Sequence, residues 1–400
     1  MFRPRLSLTP VFFGLLAALA DPACAQNYKD GPPAPGQRPA FSGQTRAPLA
    51  DGHTAYRVST VAGGLEHPWG LTWLPDGRML VTERPGRLRI VTPHGQLSPP
   101  IIGAPAVVAQ DQGGLLDVAL DPAFASNHLV YLSYLEPRME GMAGIAVARA
   151  RLQDQQGSPR LDDLTVILRT QPATKFGLNV GSRLAFGPDH HLYISVGDRM
   201  TLRAQAQQLN SDLGKILRIN ADGSVPSDNP FVSPPGAKAE IFSLGHRNPE
   251  GLTFNPATGQ LWELEHGAKG GDEVNIIHSG RNYGWPVITY GVDYSGAKIG
   301  VGTQKAGMEQ PIYYWDPSIA PSGMTFYSGD LFPRWKGDLF IGALKAERLV
   351  RLRLKGDRVV GEEVLLSELH ERIRDVRQGP DGALYVLTDN DAGRILKLTP

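Results

Sequence analysis

Six segments of the chain share one plan: a short apolar strand, a turn with Pro, Asp or Gly, and a second strand rich in Leu, Tyr, Val and Ile. The turns carry residues that β-hairpins use, because Pro fixes φ, Asp caps the turn and Gly adopts a positive φ. We therefore expect six β-hairpins. The segments are Gly70–Glu83, Leu115–Tyr134, Ser182–Asp198, Gly251–Gly267, Ser322–Leu344 and Ile373–Asp389.

The spacing of these hairpins predicts the fold. Equivalent apolar positions lie 47, 66, 68, 72 and 52 residues apart, which suits four-stranded blades with loops of varied length. The 46 Gly and 33 Pro residues favour turns over long helices. We predict an all-β fold, a six-bladed β-propeller of four-stranded antiparallel blades, in which the strand Tyr56–Ala62 joins the C-terminal strands and closes the ring. A β-sandwich or two smaller barrels is the alternative. The equivalent positions are Leu71, Val118, Leu184, Leu252, Met324 and Val376.

The N-terminus has the pattern of an export signal. Arg3 and Arg5 precede the apolar run Val11–Ala20, which is too short to span a bilayer, and Ala23–Ala25 is a small-x-small cleavage site. We expect residues 1–25 to be a signal peptide that is cleaved after Ala25, which implies a periplasmic or secreted protein.

Cys24 is the single cysteine of the chain. A lipoprotein anchor at Cys24 is the rival interpretation, although the preceding Asp-Pro-Ala is a poor lipobox. Cleavage after Ala25 leaves no cysteine for a disulfide, a thiolate metal site or a catalytic thiol. Residues 26–54 are rich in Pro and Gly and read as a disordered linker, so the predicted propeller domain covers residues 55–400.

Charge and motif content exclude several function classes. The chain has 40 Lys and Arg and 40 Asp and Glu, so its formal net charge is zero. This balance argues against nucleic-acid binding, which needs excess cations. The sequence has no G-x-x-x-x-G-K-[ST], no strand-to-helix G-x-G-x-x-G, no H-E-x-x-H and no G-x-S-x-G. A phosphate loop, a Rossmann site, a zincin and a hydrolase elbow therefore lack support.

The densest polar stretch, Leu244–Glu273, is a candidate cation site. His246, Arg247 and Asn248 precede a hairpin, and four acids surround a glycine-rich turn after it. Such a turn can direct carbonyl oxygens at Ca²⁺, which takes six to eight oxygen ligands; a solvated turn with surface acids is the alternative. The acids are Glu263, Glu265, Asp272 and Glu273.

A second cluster is cationic. Lys345 ends the fifth hairpin, and alternation in an extended segment places Arg372 and Arg374 on one face, where two guanidinium groups can grip carboxylates. Ordinary strand-edge charge is the alternative. Gln112, just before a buried strand, offers an uncharged amide or marks a simple turn.

In eight motifs the chain resembles the soluble pyrroloquinoline quinone (PQQ)-dependent glucose/sorbosone dehydrogenases, and among them the bacterial aldose sugar dehydrogenases. GHRNPEG followed by EHGxxGGDE is specific to this family, and the motifs appear in family order over about 320 residues. They are QGGLLDVAL, GSRLAFGPD, LGKILRINADGSVPSDNP, GHRNPEG, EHGAKGGDEVN, NYGWP, IAPSG and RIRDV.

The resemblance implies that PQQ lies over the wide mouth of the propeller and that Ca²⁺ binds beside it. Positions that contact the cofactor match Gln112, Arg247, Asn248, Lys345, Arg372 and Arg374. The carbonyl groups of Gly267 and Ala268 match the Ca²⁺ ligands; relatives often have proline at position 268. Asp272 and Glu273 match acids that bind a further structural Ca²⁺ in relatives. Since PQQ carries three carboxylates, cationic partners are needed to desolvate it.

The chain departs from the family at the general base. The family has a histidine four residues before the arginine of GxRL, where this chain has Asn179. An amide cannot take a proton near neutral pH, and loss of a positioned base typically costs 10²–10⁴-fold in rate. Asp198 matches the acid that orients the histidine in relatives. With Gln112 and Arg247, these residues form the predicted catalytic set.

The resulting hypothesis is a PQQ- and Ca²⁺-dependent oxidoreductase that oxidises the C1 hydroxyl of aldose sugars to lactones, with hydride transfer to quinone C5. A PQQ- or anion-binding propeller with impaired catalysis is one alternative, and a Ca²⁺-dependent propeller lactonase is another. The expected partners are an aldose and an electron acceptor of the cytochrome or quinone type. We expect no nucleic acid, no membrane span, and a monomer or homodimer.

Overall fold

The computed structural model describes residue 34 and residues 36–48, 54–154 and 158–400. The predicted signal peptide, residues 1–25, lies outside the described residues. Across these described ranges, no helix is long and apolar enough to cross a membrane.

The described residues form short antiparallel strands with very little helix. The first eleven strands are β1 (Arg57–Leu65), β2 (Pro68–Trp73), β3 (Met79–Glu83), β4 (Arg87–Val91), β5 (Leu115–Leu120), β6 (Leu129–Pro137), β7 (Ala143–Gln153), β8 (Arg160–Arg169), β9 (Gly181–Phe186), β10 (Leu192–Val196) and β11 (Lys215–Ile219). The others are β12 (Ile241–Leu244), β13 (Pro249–Phe254), β14 (Leu261–Glu265), β15 (Asp272–Ile277), β16 (Tyr313–Trp315), β17 (Pro321–Phe326), β18 (Leu339–Ala343), β19 (Arg348–Lys355), β20 (Arg358–Leu365), β21 (Ile373–Gln378), β22 (Leu384–Thr388) and β23 (Gly393–Thr399). Among the described residues, the one α-helical turn is α1 (Phe124–Asn127), and 3-10 turns cover Met139–Gly141, Arg203–Gln207, Pro333–Trp335 and Ser367–Leu369.

The strands of the described chain form six sheets, which are the blades of a β-propeller. Blade 1 contains β2–β4, blade 2 β5–β8, blade 3 β9–β12, blade 4 β13–β16 and blade 5 β17–β20. Blade 6 contains β21–β23 with β1 on its outside. Blade 1 has three ladder strands, and Leu97 occupies the fourth position through a single bridge to Val91. The predicted six-bladed propeller is confirmed.

Strand β1 closes the ring. It runs antiparallel to β23, from the Arg57–Thr399 pair to the Leu65–Gly393 pair. The first strand of the domain thus completes the last blade, as predicted, and the outer edge of β23 is paired. The observed strand extends three residues beyond the predicted end at Ala62, and β-bulges interrupt its register after Thr60 and after Ala62.

The innermost strands of the blades are β2, β5, β9, β13, β17 and β21, and each contacts the next, with β21 returning to β2. Each begins with four buried residues. Apolar side chains fill the spaces between neighbouring blades; the layer between blades 1 and 2, for example, includes Leu80, Val118 and Leu132. The core is therefore a ring of inter-blade layers around a central channel.

Charged side chains fill the middle of the channel. Arg183 of β9 lies 3.3 Å from Asp117 of β5 and 3.2 Å from Asp375 of β21, and its guanidinium packs 4.1 Å from the centre of the Trp69 ring. Arg377 contacts the same two carboxylates. Two cations and two anions thus neutralise one another and separate the two ends of the channel.

Part of the predicted linker lies against the propeller. The described residues 36–48 run beside blade 4, where the amide of Tyr314 donates to Gln44 O at 2.9 Å and Gln44 Nε2 donates to Pro311 O at 2.8 Å. The buried Gln44 side chain therefore continues the edge of that blade. These hydrogen bonds come from polar groups, so a sequence analysis based on apolar periodicity does not indicate them.

Candidate active site at the channel mouth

The predicted site residues meet at one mouth of the channel because of the hairpin geometry. In an antiparallel hairpin, the residue before the first strand and the residue after the second strand lie at the same end. The paired strand ends Pro249–Glu265 and Ile373–Thr388 show this arrangement. The other end of the channel holds a cavity of about 340 Å³, and none of the predicted site residues lines it.

Two of the predicted cations share one carboxylate. Oδ2 of Asp389 accepts from Nη2 of Arg372 at 3.2 Å and from Nη2 of Arg374 at 3.1 Å. Arg374 also donates through Nη1 to Oε2 of Glu250 at 2.5 Å. The Arg374 side chain is buried, whereas that of Arg372 is 46% exposed. Arg372 therefore faces the open mouth, and Arg374 lies beneath it.

Both carboxylates of this group are held in the charged form. Burial alone would raise the pKa of Glu250, but the charges of His266 and Arg374 outweigh it and hold that pKa well below its usual range. The same holds for Asp389, whose pKa is lowered by Arg374, by a hydrogen bond from His67 and by Arg372 against the effect of burial. His67 Nδ1 lies 2.8 Å from Asp389 Oδ1.

The resemblance implies that PQQ binds at this mouth. Replacing Asp389 by Asn should then weaken PQQ binding by about tenfold or more, because hydrogen bonds to a charged group contribute about 1.5–3 kcal/mol and both arginines would lose their shared partner. A PQQ titration of the apo protein, followed by absorbance, measures the effect. Asp391→Asn is the matched control, since the Asp391 carboxylate is 93% exposed and contacts His67 alone among these residues. Equal PQQ affinities in the two variants would refute a positioning role for Asp389.

Lys345 and Arg247 extend the cationic surface on both sides. Nη1 of Arg372 donates to Leu344 O at 3.4 Å, which places it beside the exposed Lys345. Arg247 donates through Nη1 to His266 O at 3.2 Å and through Nη2 to the hydroxyl of Tyr294 at 3.4 Å. Together with Arg374 and Glu250, these contacts form a continuous line across blades 4, 5 and 6.

Asn179, Gln112 and Asp198 form a hydrogen-bonded group beside Arg247, whose carbonyl accepts from the Asp198 amide at 2.8 Å. Asn179 Nδ2 donates to Asp198 Oδ1 at 2.8 Å, and the Asn179 amide donates to Gln112 Oε1 at 2.7 Å. Asn179 has φ of 46°, a left-handed conformation that Asn tolerates better than most residues. The structure thus brings together all four predicted catalytic residues.

Asp198 is completely buried and has three donors. Besides Asn179, the Met200 amide donates to Oδ1 at 2.7 Å and the indole of Trp285 donates to Oδ2 at 2.7 Å. Burial raises the pKa of Asp198, while Arg247 and the three hydrogen bonds oppose that shift. The carboxylate is therefore built to orient a neighbouring side chain rather than to contact a substrate itself.

The Gly267–Ala268 turn follows β14 directly at this mouth. A Cβ at Gly267 would lie 2.1 Å from Gly270 O, so the turn folds too closely on itself for any other residue. Arg247 is adjacent, since its guanidinium binds the carbonyl of His266. Two successive carbonyl groups beside a cationic surface are the type of donor that Ca²⁺ accepts.

Asp272 has a different environment from the one expected of a metal ligand. Its Oδ1 accepts from the Gly267 amide at 2.8 Å, and its Oδ2 accepts from the amides of Ile319 and Ala320 at 2.7 and 3.0 Å. Ser318 Oγ contacts both oxygens. Asp272 therefore shapes the Gly267 turn through hydrogen bonds.

Glu273, the next residue, is also buried, and its carboxylate has few contacts. Asn275 Nδ2 lies 3.5 Å from its Oε2. Burial, with the neighbouring Glu265 and Asp272 charges, raises the pKa of Glu273 well above its usual value. Of the two predicted acids, Glu273 is thus the one with oxygens available.

Asn248 directly precedes β13 and is fully buried. Its Oδ1 accepts from the Gly181 amide at 3.0 Å, and its Nδ2 donates to Glu250 Oε1 at 3.0 Å. These contacts tie blade 3 to blade 4, so the predicted cofactor-contacting amide also has a structural role.

Several site residues were missed by the sequence analysis. They include Glu250, which follows GHRNP directly, and His67 and Arg84, which flank the first hairpin. Arg84 Nε donates to Gly113 O at 3.3 Å, next to Gln112. One signal was available: the second strands of several hairpins end in an acid at the same mouth. Those acids are Glu83, Asp198, Glu265 and Asp389. No equivalent repeat marks Trp285 or Tyr294, which lie in the loops beyond β15.

The sequence model described as Glucose / Sorbosone dehydrogenase matches residues 65–397. The chain belongs to the glucose/sorbosone dehydrogenase family. The resemblance in the motifs is thereby confirmed, and with it the prediction of an enzyme of the sugar-dehydrogenase type.

Three relatives of this sugar dehydrogenase show how far the similarity extends. The aldose sugar dehydrogenase YliI of Escherichia coli K12 is 45% identical over 86% of this chain and 92% of its own length. A solved glucose dehydrogenase is 50% identical, with a TM-score of 0.83 over 85% of this chain and 98% of that chain. The PQQ-bound aldose sugar dehydrogenase of Streptomyces coelicolor is 30% identical, with a TM-score of 0.72 over 88% of this chain and 99% of that chain.

Proposed function

We propose that this protein oxidises the C1 hydroxyl of aldose sugars to the lactone, with PQQ and Ca²⁺ as cofactors. The observation that carries the proposal is the line of cations at the mouth. Arg372 and Arg374 share Asp389, Arg374 reaches Glu250, and Arg247 lies beside the Gly267 turn. The family and the PQQ-bound Streptomyces relative support the same function.

The mouth fits a small polyanion. PQQ carries three carboxylates, and its burial requires cationic partners. Arg247, Lys345, Arg372 and Arg374 would supply them, and the Gln112 amide would supply an uncharged contact. The Asn248 amide is already committed to Gly181 and Glu250. The Gly267 and Ala268 carbonyl groups would hold Ca²⁺. When bound, PQQ provides the hydride acceptor, and Ca²⁺ provides the Lewis acid that polarises the quinone carbonyl.

The residues around Asn179 determine how the sugar proton is handled. Asp198 is buried and holds the Asn179 amide through a 2.8 Å hydrogen bond. A neutral amide can orient the C1 hydroxyl but cannot remove its proton. This contact favours a second candidate function, a PQQ-binding propeller with weak turnover. The two candidates share the binding site and differ in rate.

Reconstitution of the apo protein with PQQ and Ca²⁺ tests the proposal. We expect the absorption of bound oxidised PQQ to bleach on addition of glucose or another aldose. Binding with no bleaching would support the second candidate. No change in the PQQ spectrum, together with hydrolysis of added lactones, would refute both and favour the calcium-dependent lactonase.

We further propose that the protein is exported, with cleavage after Ala25, and that it passes electrons to an acceptor of the cytochrome or quinone type as a monomer or homodimer. The signal-like N-terminus supports export. N-terminal sequencing of protein recovered from the periplasm tests the cleavage site, and an intact residue 1 would contradict it.

A further inference from the structure

A second group of potential metal ligands lies behind the Gly267 turn, where β14 faces the segment before β13. His246 Nδ1 is 3.7 Å from Glu265 Oε1 and 4.0 Å from Glu263 Oε2. One ligand atom from each of the three residues falls within 4.8 Å of the other two. All three side chains are buried, so these groups are removed from water.

Buried polar atoms in this group lack protein partners. Among the described residues, His246 Nδ1, Glu263 Oε1 and Asn275 Oδ1 have no hydrogen-bond partner. Such atoms are rare, because buried polar groups are normally satisfied by protein, water or an ion. Asn275 is an independent indication, since its Nδ2 is already committed to Glu263 Oε2 at 3.0 Å while its Oδ1 remains unsatisfied.

The surroundings fix the imidazole with Nδ1 towards the carboxylates. Nε2 of His246 lies 2.8 Å from Ser243 Oγ, and the ring stacks on Tyr283 with centroids 4.9 Å apart. A hydrogen bond at Nε2 leaves Nδ1 as the metal-binding nitrogen, which is the usual arrangement around a metal-ligating histidine. Asn275 orients Glu263 in the same manner.

The charge balance also requires a cation or protons. Glu263, Glu265 and Glu273 are all buried, and Arg247 contacts Glu265 Oε2 through its backbone amide, not through its charged group. Protons on the carboxylates would lower the repulsion, but at 3.7 and 4.0 Å neither carboxylate is within hydrogen-bond distance of His246 Nδ1. A divalent ion would neutralise the carboxylates and also give His246 Nδ1 a partner, since it binds imidazole nitrogen and carboxylate oxygen together.

We propose that His246, Glu263 and Glu265 bind a divalent ion of the Zn²⁺ type, with Asn275 Oδ1 as a further ligand. Imidazole nitrogen selects Zn²⁺ and similar metals, whereas Ca²⁺ prefers an all-oxygen set. The site is therefore distinct in chemistry from the Gly267–Ala268 carbonyls. It would be structural, joining the Arg247 segment to β14 behind the mouth, and it does not depend on the proposed reaction.

Zinc titration of the full chain, freed of metals with a chelator and saturated with Ca²⁺ in the absence of PQQ, tests the proposal. We expect one equivalent of Zn²⁺ to bind by calorimetry and to raise Tm. Glu263→Gln should weaken this binding by about 100-fold or more, because it replaces a charged ligand while keeping the oxygen that Asn275 contacts. Glu368→Gln, which changes an exposed carboxylate, should leave zinc binding unchanged.

Cobalt provides a readout that needs no variant. Co²⁺ added to the metal-free wild-type chain should give visible d–d absorption of a low-symmetry nitrogen and oxygen site, and Zn²⁺ should abolish it. Absence of a bound equivalent in the wild type, equal affinity in Glu263→Gln, or displacement of the bound ion by Ca²⁺ would each overturn the proposal. None of these outcomes bears on PQQ binding, so the two proposals fail separately.

Discussion

Replacing Asn179 by His should raise the turnover of aldose oxidation by about 10²-fold or more, since a positioned general base typically contributes 10²–10⁴-fold. The surroundings of residue 179 can hold an imidazole ring. Asp198 already accepts from Asn179 at 2.8 Å, so it can hold a histidine Nδ1–H and leave Nε2 for the C1 hydroxyl. His also tolerates the φ of 46° found there. Steady-state kcat with a dye acceptor measures the effect.

The double variant Asn179→His with Asp198→Asn is the control. Without the carboxylate, the imidazole loses the partner that selects its tautomer and stabilises its charged form, so most of the gain should disappear. The PQQ affinity of each variant must be measured alongside, because Asp198 also binds Trp285 at 2.7 Å. Unchanged kcat in the single variant, with PQQ bound normally, would show that another group already takes the proton.

The fold could be predicted from the sequence because the residues that specify each hairpin lie close together in the chain. Turn residues such as Pro75-Asp76-Gly77 and Pro380-Asp381-Gly382 mark the hairpins, and each hairpin is a complete supersecondary unit. Hairpin spacing then indicates six blades. The packing of the N-terminal segment could not be predicted in this way. The contacts of Gln44 with Pro311 and Tyr314 join residues about 270 positions apart.

The site was predicted less completely, for a related reason. The residues proposed to contact ligands lie in recognisable motifs, and most of them do meet at the mouth. Their partners come from other blades: Glu250 of blade 4 binds Arg374 of blade 6, and Trp285 binds Asp198. Asp272 was predicted to be a metal ligand because of its motif. In the structure its carboxylate accepts hydrogen bonds from the backbone amides of residues 319 and 320, which lie far away in the sequence. The spacing of residues in the sequence does not indicate which of them pair between blades.

Replacing Arg374 by Met should both abolish tight PQQ binding and destabilise the fold by about 3–5 kcal/mol at pH 7, the usual cost of removing one partner from a buried ion pair. Arg374 is buried and lies between two buried carboxylates, Glu250 at 2.5 Å and Asp389 at 3.1 Å. Its loss would leave the imidazole of His266, at 3.7 Å, as the nearest basic group to Glu250. Denaturant unfolding at pH 7 measures the change.

The variant Arg372→Met distinguishes the effect on PQQ binding from the effect on the free energy of unfolding. Arg372 is half-exposed and shares Asp389 with Arg374, so this variant should weaken PQQ binding with a loss of less than about 1 kcal/mol, as for exposed pairs. Equal destabilisation by both substitutions would contradict the buried role of Arg374.

The effect of Arg374 on stability should also depend on pH, with a definite sign. The pKa values of Glu250 and Asp389 are lowered in the folded state, so their stabilising contribution is full above the unfolded values near 4 and declines as pH falls towards the folded ones. The difference between wild type and Arg374→Met should therefore be largest at pH 6–7 and shrink below about pH 4. A difference that grows on acidification would show that these carboxylates do not depend on Arg374 for their charge.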